Sequence, residues 1–151
     1  MKQLKMSEET AFDYAAKKYD WSSWGITVKK SIFVFGSNLA GRHGAGSAQA
    51  ARLYHGAIYG QGTGLQGRSY AIPTKDENFN VLPVEVIKKY VDEFKEFAKE
   101  HPDMVFNVVA IGCGYAGYQP KEIAPLFEGC SPNVNLPSEF LNPETKEEWW
   151  E

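Results

Sequence analysis

Apolar positions along the chain change period several times, and each change marks an expected element. Phe12, Ala15, Ala16 and Tyr19 recur at helical spacing behind Ser7, a good N-cap, so residues 7–19 read as a short helix. Trp21 and Trp24 follow in a connector containing Ser and Gly. The second half of Ile26–Phe35 is β-branched and aromatic without polar interruption, as in a strand buried on both faces. That run stops at Gly36-Ser37-Asn38 and gives way to a glycine loop ending at Gly46. Ser47–Tyr54 is alanine-rich and favours helix.

Gly56, Gly60, Gly62, Gly64 and Gly67 then form a second glycine cluster leading into Ser69–Ile72, a short strand that Pro73 is expected to stop. Residues 75–82 read as a turn and Pro83 as a first-turn proline. Val84, Ile87, Val91, Phe94 and Ala98 repeat at 3-4-3-4 spacing, with Lys and Glu opposite, and define the clearest helix. Met104–Ile111 reads as a second buried strand, and it too runs into glycines, Gly112 to Gly117. Pro120 opens a short helix through Phe127, and the chain from Gly129 reads as irregular. No internal repeat interrupts this order.

Strands alternating with helices predict one α/β domain, a three-layer α/β/α arrangement around a mixed sheet. The expected division is an N-terminal helix and connector (1–25), an α/β domain that carries the glycine loops (26–140) and an acidic tail (141–151).

Composition changes this picture little. A length of 151 residues suits one domain, and a net charge of −3 disfavours a sequence-independent nucleic-acid binder. Cys113, Cys130 and three scattered histidines show no metal-ligand spacing, so no metal site and no cofactor is expected. The first twenty residues contain no apolar h-region and no run able to cross a bilayer, which makes a cytoplasmic location the default and a membrane partner unexpected. The oligomeric state is not legible.

Candidate chemistry sits in the loops. Two glycine loops, 36–46 and 112–117, directly follow buried strands, and in open α/β sheets ligands bind beyond the carboxyl ends of strands. Bare backbone N–H groups beside a helix N-terminus favour an anion. There is no GxxxxGK[ST], and Gly41-Arg42-His43-Gly44-Ala45-Gly46 does not fit GxGxxG, which disfavours P-loop and Rossmann readings.

From Phe33 to Phe127, about two-thirds of the chain, the order of parts resembles a macro domain, the ADP-ribose-binding module. FGSNLAGRHGAGSAQAA is similar to that family's strand, asparagine, glycine loop and small-residue helix, with Asn38 at the functional asparagine. AIGCGYAGYQP is similar to its G-x-G-aromatic-x-G loop. The resemblance implies a small nucleotide ligand related to ADP-ribose, and, if the protein is an enzyme, hydrolysis of an ADP-ribosyl linkage. It implies Gly44, Ala45 and Gly46 in the first phosphate loop and Gly112, Gly114, Tyr115 and Gly117 around the distal phosphate and ribose. The loops themselves add Gly36, Ser37, Arg42, Cys113 and Ala116 as candidate ligand-binding residues and His43, with Asn38, as a candidate to present water. The family's adenine-holding acid has no clear match; Asp20 stands for it by location only, and Arg42 and His43 replace residues that are often small.

The residues themselves leave alternatives open. Asn38 can bind a ribose hydroxyl or cap the turn. Arg42 can pair with phosphate or stay solvated. Cys113 with His43 would make a thiol hydrolase, against a small residue filling space. A non-catalytic sensor or sponge would carry the same loops. Trp149 and Trp150 in the tail raise a weaker idea, a protein-interaction module.

Overall fold

The computed structural model describes residues 30–143. The expected helix at 7–19, Trp21, Trp24, the start of the first strand and the Trp149-Trp150 tail lie outside the described residues.

The elements run β1 (Lys30–Asn38), α1 (Gly46–Tyr54), β2 (Gly64–Gln66), β3 (Ser69–Lys75), α2 (Val84–Glu100), β4 (Met104–Val108), α3 (Pro120–Ile123) continued by a 3-10 turn (Ala124–Phe127), β5 (Val134–Asn135) and α4 (Ser138–Leu141). The strands form one mixed sheet in the order β2-β3-β1-β4-β5. β1 lies at the centre, parallel to β3 and β4; β5 is parallel to β4, and only β2 is antiparallel.

Both faces of β1 are covered, which is why its sequence reads as continuously apolar. Ile32 and Val34 point to one side and pack with Tyr70, Ile72, Phe106 and the α2 residues Ile87, Val91, Phe94 and Ala98. Phe35 points to the other side and packs with Ala71 and the α1 residues Ala48 and Ala51. The result is a three-layer α/β/α domain with a large aromatic core on one face and a thin alanine-lined one on the other. The small side chains let α1 approach the sheet closely. Phe94 is fully buried against Tyr70, Phe106 and Phe127; its truncation to Ala would cost about 3–5 kcal/mol.

Five elements differ from expectation. β1 continues through Gly36, Ser37 and Asn38, all within its pairing to β3. β3 is not stopped by Pro73 but runs to Lys75. Phe33 N–H donates to Arg68 O, and the two-residue period of the ladder then turns the Pro73 nitrogen away from β1. On that far side β2 ends opposite Ala71, so no ladder bond is lost. The segment beyond Gly129 is not wholly irregular. β5 pairs with β4, and α4 buries Phe140 in a stack on Phe127 at 5.4 Å between centroids.

Pro83 is the N-cap of α2 instead of its first helical residue, and its carbonyl accepts from Ile87 N–H at 3.0 Å. β4 leaves the ladder at Val108, three residues before the apolar run ends. Val109 N–H still reaches Val34 O at 3.1 Å, but Ile111 N–H turns back to Val109 O at 2.7 Å.

Candidate functional site

Topology fixes where a ligand can enter. After β1 the chain crosses to β3 on one side of the sheet, and after β4 it passes to β5 on the other. β1 and β4 are adjacent and parallel, so the loops leaving their carboxyl ends diverge and open a crevice. A cleft of about 670 Å³ lies there. Its walls come from Gly36–Asn38, Arg42, Gly44–Ala48, Val109–Gly112 and Gly114–Ala116, joined by Tyr59, Thr74, Lys75 and Phe79.

Of the residues expected to bind ligand, Gly36, Ser37, Asn38, Arg42, Gly44, Ala45, Gly46, Gly112, Gly114, Tyr115 and Ala116 line this cleft. Cys113, Gly117 and His43 are not among its lining residues. Cys113 is half-buried and packs against the α2-side core. His43 is fully buried and sits edge-on to Phe35 on the α1 side, at 5.3 Å between centroids. The two residues of the thiol-hydrolase reading thus pack against different cores, Cys113 on the α2 side and His43 on the α1 side.

The first loop is shaped by side chains spent on its own backbone. Asn38 Nδ2 donates to Arg42 O and Asn38 Oδ1 accepts from Arg42 N–H, both at 3.0 Å. Its amide therefore caps the turn, which also has a Gly41 N–H to Asn38 O bond of 2.9 Å. Arg52 Nε, on α1, donates to His43 O at 3.0 Å. The His43 ring is wedged behind the loop, its nitrogens buried with only the Gln61 backbone as a distant, poorly aligned polar neighbour. Burial lowers its pKa; the Gln61 backbone opposes this and the Arg52 charge adds to it. The ring is therefore a neutral packing piece.

The second glycine cluster buttresses the first loop from behind. Gly60 N–H donates to Gly41 O at 2.8 Å, and Ser37 Oγ donates to Gly62 O. A Cβ on Gly41 would fall 2.4 Å from Gln61 N, and one on Gly62 would fall 2.4 Å from Asn38 O. These glycines admit another stretch of chain. Gly44 and Gly114 are different, since a Cβ on either meets nothing within 4 Å. They bare backbone to the cleft.

The first turn of α1 also faces the cleft, with Ala45 as an N-cap that makes no side-chain bond. Its leading N–H groups and positive dipole end are thus available to an anion. Two cations stand at the rim, each over an aromatic ring at 5.7 Å: Arg42 over Phe79, and Lys75 over Tyr115. Tyr115, 76% exposed, leans on Gly46 and closes the gap between the two loops. Among the described lining residues there is no carboxylate, imidazole or thiol.

Sequence reasoning missed Tyr59, Ser47, Ala48, Thr74, Lys75, Phe79 and the backbone of Val109–Ile111. Thr74, Lys75 and Phe79 enter because β3 pairs with β1, an adjacency no local pattern announces. A usable signal was that Lys75 ends a strand and Phe79 stands in the turn leaving it, as the glycine loops leave theirs.

Compared with protein-family models, curated proteins and solved structures, the chain matches none. No described helix is long and apolar enough to cross a membrane.

Proposed function

We propose that the cleft binds ADP-ribose or a related nucleotide, with the diphosphate held by backbone N–H groups of the loops after β1 and β4. The observation that carries this reading is the composition of one wall set: two open glycine loops, an uncapped helix N-terminus and two cations, with no acid among the described lining residues. The backbone N–H groups, the helix N-terminus and the two cations favour negative charge along the loop side of the cleft. The volume of about 670 Å³ falls in the range of small-molecule sites. The exposed rings of Phe79 and Tyr115 suit a ligand that also carries planar or sugar surfaces.

The reading is of a binding module, a sensor or sponge, more than of a hydrolase. Moving water onto an anomeric carbon needs a group to take its proton. The described lining offers hydroxyls and the Asn38 amide, and that amide already bonds Arg42.

A thermal-shift titration tests it. ADP-ribose at 100 times its dissociation constant should add roughly 2.7 kcal/mol of stability. No rise in melting temperature at millimolar ADP-ribose would refute the reading.

A further inference from the structure

The turn after β3 is built around one strained aromatic. Phe79 has φ 65°, the only left-handed non-glycine backbone among the described residues. Asp76 enforces it: Oδ1 accepts from the Asn78 N–H at 2.8 Å and the Asn80 N–H at 2.9 Å, while Asp76 N–H donates to Asn80 O at 2.8 Å. The bridge between Lys75 and Val81, and the Leu82 N–H to Thr74 O bond of 2.9 Å, fasten the base of the turn. An aromatic residue in this conformation is costly unless something uses it. Packing does not: Phe79 belongs to neither core and is 46% exposed. Its ring lines the cleft, where its partner is the flat, cationic Arg42 guanidinium.

We infer that Phe79 is a stacking platform for a planar ring of the bound ligand, which displaces the Arg42 guanidinium from its face. This rests on the nucleotide reading above and adds where a ring of that ligand goes. A nucleobase and a guanidinium are both flat groups that lie on a benzene face. When the base takes the ring, Arg42 is released beside the Gly44–Gly46 loop, where it can pair with phosphate as a two-pronged donor. Ring and phosphate recognition are thereby linked through one arginine.

Titration calorimetry with ADP-ribose tests this on the wild type and on Phe79→Ala, Phe79→Leu and Phe79→Tyr. Stacking predicts about tenfold weaker binding for Ala and for Leu, with Tyr within about twofold of wild type. The loss on going from Phe79 to Ala should persist in an Arg42→Ala background; its disappearance there would show that Phe79 acts only by holding Arg42 and would overturn the inference. Leu binding as well as Phe, or Tyr binding as poorly as Ala, would overturn it too. A further variant, Phe79→Gly, should bind weakly yet melt at a higher temperature, because glycine relieves the left-handed backbone; a lowered melting temperature would mean the ring supports the fold. Wild type that fails to bind ADP-ribose sinks the nucleotide reading and this inference with it. Wild type that binds, with every variant unaffected, sinks the inference alone.

Discussion

Gly44 and Gly114 differ from Gly41 and Gly62 in what lies where a side chain would be. The first pair faces open space across the cleft, whereas the second pair faces backbone atoms 2.4 Å away. All four belong to glycine-rich loops of one crevice region, yet one pair makes room for a ligand and the other for the chain itself. A glycine cluster is therefore not one signal. What separates the two kinds is not which loop holds the glycine, since Gly41 and Gly44 share 36–46, but whether the residue faces the cleft or abuts the 56–67 segment packed behind the first loop.

The sharpest way to break this contrast is Gly62→Ala. Its Cβ would collide with the carbonyl oxygens of Asn38 and Leu39, which cannot swing aside as a side-chain tip would. We expect a loss of about 2–3 kcal/mol or more in urea denaturation, with ligand binding lost as the first loop is displaced. Asn38→Ala comes next. It removes both bonds to the Arg42 backbone and should cost about 1–3 kcal/mol, measured the same way.

His43 offers a pH test of the same buttress. Its folded pKa lies below its ordinary value of 6.5 because burial disfavours the cation. Between the two values the unfolded chain binds more protons, so stability is complete above about pH 6.5 and falls as the pH drops below it. Denaturation midpoints at pH 8 and pH 5.5 should show that slope, and His43→Phe should flatten it. At the small end stand Gly44→Ala and Gly114→Ala. Neither residue has a left-handed φ and neither new methyl group touches anything, so stability should stay within about 0.5 kcal/mol. Affinity for ADP-ribose should nevertheless fall, because each methyl group projects into the cleft. Equal destabilisation by Gly62→Ala and Gly44→Ala would erase the distinction.

The parts of the fold legible beforehand were those governed by burial on both faces or by helical period. β1 carries Ile32–Phe35 without polar interruption and α2 repeats its apolar residues at 3-4-3-4 spacing, whereas β4, expected to be buried throughout, buries Phe106 and Val108 but leaves Asn107 exposed. The two loops after those strands carried most of the cleft with them. What was hidden depends on neighbours in space. Pro73 continues β3 only because β2 stops short of it. Phe79 and Lys75 reach the cleft only because β3 lies beside β1. His43, expected to present water to a ligand, is instead buried between Phe35 and Tyr59. Phe140 finds Phe127 across a stretch that, rich in Pro and Asn, looked structureless.

Hydrogen exchange of backbone amides with and without saturating ADP-ribose examines the central claim at the atoms it names. The account predicts slowed exchange concentrated at residues 44–48 and 112–116, with 56–67 already protected and unchanged. Unchanged exchange in both cleft loops would contradict an amide cradle, whatever else the ligand did to the protein.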